Sequence, residues 1–424
     1  MQRRGFLKAG AGLAAFGAGR ALAAPILSAD NFGLTPARAT RRNGWIEVDA
    51  GAFEANIDAV REWTGGTRLC AVMKADAYGN GIGLLIPSIL RKRVTDVAIT
   101  SNDEARVARQ LGFRGRLIRI RTATPEEMED GFAHHITELV ANPLAAERLQ
   151  ALWQRRKPKG PLAVHLALNA GGMSRNGVEL SSLYGQADAR ALIAFKGLRV
   201  TGAMTHYPSE EAPDILGQLA RFQEDLGWLA SAGLDTRPLL RHTANTFATL
   251  EHPETRLDMV RVGGAIYGDP GSTKTDKFQP TMAIKSRVAA VNHYPVGQTV
   301  NYDRTYRLDR ESWLANIPIG YSDGYRRGFS HANRPEFEAE SRNRTEVLIG
   351  GRRFPVVGRV TMNTMMADVT GWQDKVRLDD EVVLFGAQGE DRITQPEFER
   401  NGGVYGPEAL TVMGATLPRV LKAG

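Results

Sequence analysis

A lysine closes the apolar run Leu69-Cys70-Ala71-Val72-Met73, and Gly79 and Gly81 break the chain soon after it. Such a run followed by glycines fits a buried parallel strand that ends in a loop. In a β/α barrel the strand ends carry the reactive side chains. An amine held there in a dry pocket has a depressed pKa, and a neutral amine can form a Schiff base. The competing reading is a solvated lysine snorkelling from a barrel mouth. Other strand ends offer matching chemistry. Arg175 can pair with a planar oxyanion. Gly263 and Gly264 can present N–H groups to a phosphate, because no Cβ blocks the approach. His206 follows the run Val200–Met204, and Arg261 lies in the run Val260–Val262.

These residues need a scaffold, and 424 residues suffice for a barrel plus a second domain. Trp45–Val48 alternates as a strand, and Asp49 can cap a helix over Ala52–Glu62. From Leu69 to Gly268, apolar runs alternate with helical stretches such as Asp103–Leu111 and Ile215–Ala232. This spacing predicts a parallel sheet closed as an α/β (β/α)8 barrel, with an open doubly wound sheet as the alternative. No G-x-G-x-x-G follows the first strand, which counts against a dinucleotide fold. From Gln279 onward, short runs such as Ala283–Val288, Leu314–Pro318 and Val382–Phe385 alternate with turns, which predicts a β-rich C-terminal domain. The expected division is 1–23 targeting segment, 24–43 irregular lead-in, 44–275 barrel and 276–424 β-rich domain.

The N-terminus reads as an address. Arg3-Arg4-Gly5-Phe6-Leu7 is a twin-arginine pattern, an Ala/Gly-rich run follows, and Ala21-Leu22-Ala23 offers a cleavage site. The expected location is periplasmic, by export of folded protein. Loss of residues 1–23 removes Arg3, Arg4, Lys8 and Arg20 and no acid, which lowers the formal net charge from +7 to +3. No long basic run remains, so nucleic acid is not an expected partner. No membrane association beyond export is expected. Cys70 is the single cysteine, so no intrachain disulfide can form. No metal is expected.

Several blocks, in order, resemble the alanine racemase family over roughly residues 44–424. Lys74-Ala75-Asp76-Ala77-Tyr78-Gly79-Asn80-Gly81 resembles the family's pyridoxal 5'-phosphate lysine motif. The resemblance implies that Lys74 holds the cofactor and that Tyr78 bonds its phosphate. His165–Arg175 resembles the segment whose arginine touches the cofactor oxygen and the substrate carboxylate, the role implied for Arg175. Met204-Thr205-His206-Tyr207 implies that His206 packs on the cofactor ring. His242-Thr243-Ala244-Asn245-Thr246 implies a phosphate-bonding Thr246 with Asn245 beside it. Met259–Gly268 implies Arg261 at the pyridine nitrogen and Gly263 and Gly264 at the phosphate.

In the second domain, Thr299–Asp303 resembles the segment of the family's second catalytic base, so Tyr302 is implied in that role, contributed by the other subunit of a homodimer. Gly320–Gly324 implies Tyr321 at the entrance, and Gly358–Asn363 implies Met362 and Asn363 at the substrate carboxylate. There are departures. Ala167 replaces the family's carbamylated lysine, which leaves Asn169 as the nearest polar group to steady Arg175. Asn363 replaces an aspartate, and Ala415 a tyrosine that closes the pocket. Some exported relatives bridge a cysteine at the Cys70 strand to another one strand later, where this chain has Asp96.

A racemase removes a proton from one face of the substrate Cα and returns it to the other, so it needs two bases. Lys74 and Tyr302 are the implied pair. The departures and the export pattern point to a periplasmic racemase of broad specificity, with Lys, Arg, Ala, Met and Gln as expected substrates. The alternatives are a strict alanine racemase, a fold-related decarboxylase and a non-catalytic cofactor-binding protein. Arg261 counts against the decarboxylase, which needs an acidic partner at the pyridine nitrogen. The β-rich domain and Tyr302 count against the carrier.

Overall fold

The computed structural model describes residues 43–172, 176–272, 276–340 and 344–422. The targeting segment and nearly all of the lead-in lie outside them. The strands are β1 (Gly44–Val48), β2 (Arg68–Val72), β3 (Asp96–Ile99), β4 (Arg116–Arg119), β5 (Ile136–Val140), β6 (Leu162–Ala167), β7 (Leu198–Met204), β8 (Leu240–His242), β9 (Met259–Val262) and β10 (Met282–Arg287), with further strands after them.

Strands β2 to β9 form the barrel in the order β8-β7-β6-β5-β4-β3-β2-β9, all in parallel. The β8–β9 seam has no regular ladder. Single backbone bonds span it, from Asp258 N–H to the Arg241 carbonyl at 3.2 Å and from Arg261 N–H to the Ala244 carbonyl at 3.0 Å. Several helices start where a capping residue satisfies the first free N–H groups. Asp49 Oδ1 accepts from Ala52 N–H at 2.8 Å to start Ala50–Trp63. Ser101 and Glu104 form a reciprocal capping box before Asn102–Gln110. Strand β8 was not expected as a strand, because three residues are too few to show a period. Cys70 faces Asp96 in the β2–β3 register and is a buried free thiol.

Strand β1 corrects the expected division. It lies not in the barrel but in the second sheet, one strand in from its edge, antiparallel to β10 and parallel to the edge strand Arg419–Leu421. An alternating strand reports which face is buried but not which sheet buries it. The rest of that sheet is antiparallel and runs from β10 through Glu381–Gln388, Glu346–Ile349, Arg352–Val357, Met365–Asp368 and Ser312–Ile317 to Ala290–Tyr294. Two helices, Gln395–Gly402 and Gly406–Thr416, precede the last strand. One apolar cluster runs unbroken from Leu69, Val97 and Val260 of the barrel through Ile46, Phe53 and Ile57 to Ile284 and Val383 of the second sheet. The two domains are thereby packed on a shared core.

Ile46 is fully buried in that core. Its truncation to Ala leaves a cavity that the two flanking strands cannot close, so urea unfolding of Ile46→Ala is expected to show a loss of about 2–5 kcal/mol.

Candidate active site

Lys74 follows β2 directly, and the chain then winds the wrong way. Ala75, Asp76, Ala77 and Tyr78 have φ of +53°, +53°, +57° and +54°. None is glycine, yet they form a left-handed turn closed by Ala77 N–H to the Met73 carbonyl at 3.0 Å and Gly79 N–H to the Ala75 carbonyl at 2.9 Å. L-residues pay roughly 1–2 kcal/mol each for this conformation. The turn ends on Gly79 and keeps Lys74 and Tyr78 on one side. The Lys74 ammonium lies 5.6 Å from the Tyr78 ring centre. The Tyr78 ring stacks on Tyr267 at 4.7 Å, and the Tyr267 hydroxyl donates to the Val72 carbonyl at 3.1 Å.

Three expected phosphate-side residues meet around Tyr78. Gly263 is so near that a Cβ there would stand 2.3 Å from Tyr78 Oη. Gly263 N–H donates to Thr246 Oγ1 at 3.1 Å. A Cβ on Gly264 would stand 2.3 Å from the Asp269 carbonyl. Asn245 is placed differently from its neighbours: its side chain caps Thr246–Glu251 by accepting from Ala248 N–H at 2.9 Å. It still borders the cleft, and its cap fixes where the Thr246 hydroxyl points. Lys74, Tyr78, His206, Asn245, Thr246 and Gly264 all border an open cleft of about 630 Å³.

Arg261 fills the barrel interior on the other side of Lys74. It is buried, and donates to the carbonyls of His242 at 2.5 Å, Thr205 at 2.9 Å and Thr243 at 3.1 Å. It also donates to His206 Nδ1 at 3.2 Å and His242 Nδ1 at 3.1 Å. A guanidinium only donates, so His242 Nδ1 accepts and its Nε2 carries the hydrogen. That hydrogen goes to His165 Nδ1 at 2.9 Å. Arg261, His242 and His165 thus form a directed line across the barrel. Burial and the nearby Arg116 and Arg261 cations push His165 down to about 3. Burial pushes His242 down as well, assisted by His165 and Arg261. Both imidazoles are neutral, so the cation of Arg261 is the charge they present to the pocket.

The remaining expected residues form a second cluster on the β-rich domain. Tyr302 is 68 % exposed, Met362 54 % and Tyr321 42 %. Asn301 Nδ2 donates to the Arg359 carbonyl at 2.7 Å, and Asp303 pairs with Arg359 at 2.7 Å. Tyr321 N–H donates to the Thr361 carbonyl at 3.0 Å, the Ser322 hydroxyl to the Met362 carbonyl at 2.8 Å and Asn363 Nδ2 to Ser322 Oγ at 2.9 Å. Neither Tyr302 nor Met362 borders the cleft around Lys74. One chain therefore does not bring Lys74 and Tyr302 together.

Arg175 lies outside the described residues. Asn169, its expected support, donates to the Glu179 carboxylate. Ala167 is buried against Leu139, Ala141 and Met204, and Ala415 is exposed. Sequence reasoning missed His165, Asp76, Glu104 and Arg419 as parts of the site's support. His165 and Asp76 stood inside motif blocks, and only the carboxylate of the Lys-Ala-Asp-Ala-Tyr block hinted at a structural task. Glu104 gave no local signal, and Arg419 closed the family-like block Met413–Arg419 with no role assigned to it.

The fold and the site define a β/α-barrel amino-acid racemase, and the comparisons agree. The alanine racemase N-terminal domain family matches residues 48–270 and the C-terminal domain family residues 281–421. A broad specificity amino-acid racemase from Aeromonas hydrophila is 46% identical over 408 residues, 96% of each chain. A lysine racemase from Proteus mirabilis is 42% identical over 381 residues, 89% of each. The crystal structure of alanine racemase from Bacillus anthracis with bound L-Ala-P aligns at TM-score 0.79 and 28% identity, over 90% of this chain and 95% of that one. The chain belongs to the alanine racemase family. That family works with pyridoxal 5'-phosphate. The glycine at 263, which lets the Tyr78 hydroxyl come close beside Thr246 Oγ1, and the buried cation of Arg261 fit a phosphate at one end and a ring nitrogen at the other.

The His165–His242 pair also makes a stability prediction. An unfolded histidine binds a proton near pH 6.5, whereas folded His165 does so only near 3. Between these values the unfolded state holds more protons, so this contribution is present above pH 6.5 and is lost as the pH falls. His165→Asn keeps an acceptor for His242 and removes the titration. Unfolding free energies from urea titrations between pH 7 and 4 are expected to fall less steeply for it, by up to about 1.4 kcal/mol per pH unit.

Proposed function

We propose that this racemase is pyridoxal-phosphate dependent, broad in specificity, exported to the periplasm and active as a homodimer. The observation that carries the cofactor reading is the cradle beside Lys74: Tyr78 Oη, Thr246 Oγ1 and Gly263 together on one side, the Arg261 guanidinium on the other. Lys74 would hold the cofactor, Tyr78, Thr246, Gly263 and Gly264 its phosphate, His206 its ring face and Arg261 its ring nitrogen. When bound, the cofactor supplies the electron sink that acidifies the substrate Cα–H.

The chain's own groups then divide the proton work. The Lys74 amine takes or returns the Cα proton on one face. Inversion needs a second group on the opposite face, and Tyr302 is assigned to it. Its exposure and its distance from the cleft support a contribution from a second copy of the chain, with Tyr321, Met362 and Asn363 from the same cluster. Arg175 is assigned to the substrate carboxylate. Arg261, a permanent cation, disfavours protonation of the ring nitrogen, which weakens the sink and restrains side reactions such as transamination.

Broad specificity rests on the relatives named broad specificity and lysine racemases at 42–46% identity. Export rests on the N-terminal pattern, and replacement of Arg3-Arg4 by two lysines is expected to keep the protein out of the periplasmic fraction.

The deciding measurement is α-proton exchange in D2O with L-Ala, L-Lys, L-Arg and L-Met, followed by chiral chromatography. D-products from the long substrates at rates matching Ala are expected. Turnover of Ala alone would leave the strict alanine racemase as the reading. Tyr302→Phe is expected to lower racemisation by about 10²–10⁴-fold with the cofactor still bound. Exchange without inversion in the unaltered protein would end the two-base assignment.

A further inference from the structure

The left-handed turn after Lys74 is gripped from the other end of the chain. Asp76, at its centre, has every main group engaged. Its N–H donates to Glu104 Oε1 at 3.1 Å, and its Oδ1 accepts from Ile82 N–H at 2.7 Å. Its Oδ2 pairs with Arg419 Nη1 at 2.6 Å, with side chains only 7% and 4% exposed. Arg419 opens the last strand, which lies parallel on β1 in the register Ile46↔Arg419. Arg419 Nη1 also reaches the Gly79 carbonyl at 3.4 Å.

A second contact is independent of that ion pair. The helix Gly406–Thr416 crosses the turn where two glycines meet. A Cβ on Gly414 would stand 2.4 Å from Gly79 Cα, and one on Gly79 would stand 2.6 Å from the Leu410 carbonyl. A third contact comes from the start of the second domain, where the Thr281 hydroxyl donates to Asn80 Oδ1 at 2.8 Å.

The geometry points to Arg419, with the Gly79–Gly414 crossing, as a positioning device: the C-terminal helix and strand hold the Lys74 turn in its left-handed form and so set the aim of the Lys74 amine. This rests on the reading of Lys74 as the cofactor lysine. A strained turn persists only while its surroundings fix it. A turn tied to the last strand should open with that strand rather than with the barrel strand it follows. Cofactor capture is then coupled to completion of the second domain. Arg419 touches no reacting atom in this account and acts through Asp76.

The test compares Arg419→Met, which keeps bulk and removes the charge, with Arg419→Lys, which keeps the charge. Lys285→Met is the control: it removes another buried cation of the same sheet, paired with Glu47 and Glu381 and remote from the turn. Amide hydrogen exchange is read on the peptide covering 74–82, with and without pyridoxal phosphate, alongside cofactor titration by absorbance. Arg419→Met is expected to speed exchange in 75–81 at least tenfold, with β4 and β5 unchanged, and to raise the cofactor dissociation constant at least tenfold. It should lower kcat more than it raises KM for the amino acid, and Arg419→Lys should restore most of each loss. Lys285→Met should leave exchange in 75–81 and cofactor affinity unchanged. The proposal is overturned if Arg419→Met behaves like Lys285→Met, lowering the melting temperature alone. Should Arg419→Met not fold, the unaltered protein decides: the amides of Ala77, Gly79 and Gly81 must open together with those of 419–421, and opening together with β3 and β4 overturns the proposal. Borohydride reduction and peptide mapping test the Lys74 reading separately, because they locate the cofactor whatever the exchange result.

Discussion

Everything in this fold that bears on chemistry depends on four residues of L-configuration wound left-handed behind Lys74. At roughly 1–2 kcal/mol for each residue, the strain is on the order of the whole net stability of a domain. Such a turn survives only if its surroundings leave it no alternative. The turn's own two backbone bonds, the Glu104 and Ile82 contacts of Asp76, the Arg419 ion pair and the glycine crossing supply that constraint. The gain is geometric. A right-handed turn would carry residue 78 to another side of the strand end. The left-handed one keeps the Tyr78 hydroxyl beside Gly263 and Thr246 while Lys74 stays at the barrel mouth.

The carboxylate of Glu104 shows how tightly this support is built. Burial pushes its pKa up, while N–H groups of Thr100, Asp76 and Ser101 pull the other way. One carboxylate thereby serves as the cap of the following helix and as the acceptor for the strained turn. Across the barrel the logic is reversed. Arg261 is surrounded by carbonyls and the neutral imidazole of His242, which solvate a cation without cancelling it. A charge so held keeps its effect on whatever ring nitrogen faces it, and the dry interior strengthens that effect.

The barrel was legible because its signal is local: apolar runs at regular spacing with helical stretches between them, several opened by a capping residue. The gathering of Lys74, Thr246 and Arg261 around one pocket was legible because each lies within a motif block. What could not be read is what depends on contacts far along the chain. β1 alternates as a strand should, but its partners are β10 and the last strand, so its sheet was misassigned. The left-handed turn was read as a loop, since Ala and Tyr have no bias toward positive φ and Asp visits it as a single residue rather than in a run. Arg419 looked like any basic residue near a terminus, and only the fold reveals that it is buried against Asp76. His165 lay in a quoted block, yet its neighbour His242 is brought to it only by barrel closure.

The two clusters of site residues also explain why the second domain is more than a cap. The barrel cluster lines a cleft, whereas Tyr302 and Met362 stand exposed on the second domain. A large exposed tyrosine and methionine over an ordered loop network is a poor arrangement for water and a good one for a contact surface. On the proposed reading, a second chain brings this face to the Lys74 cleft, and the two bases approach the substrate from opposite sides because they come from opposite chains. Within a single chain the same domain works inward, through Arg419 and Gly414, on the turn that aims Lys74. One domain would then set both faces of the reaction, its own chain's lysine through the C-terminal grip and its neighbour's second base through Tyr302. Any change that loosens this domain should disturb the two bases together, which is why separate readouts of turn opening and of inversion are needed to tell them apart.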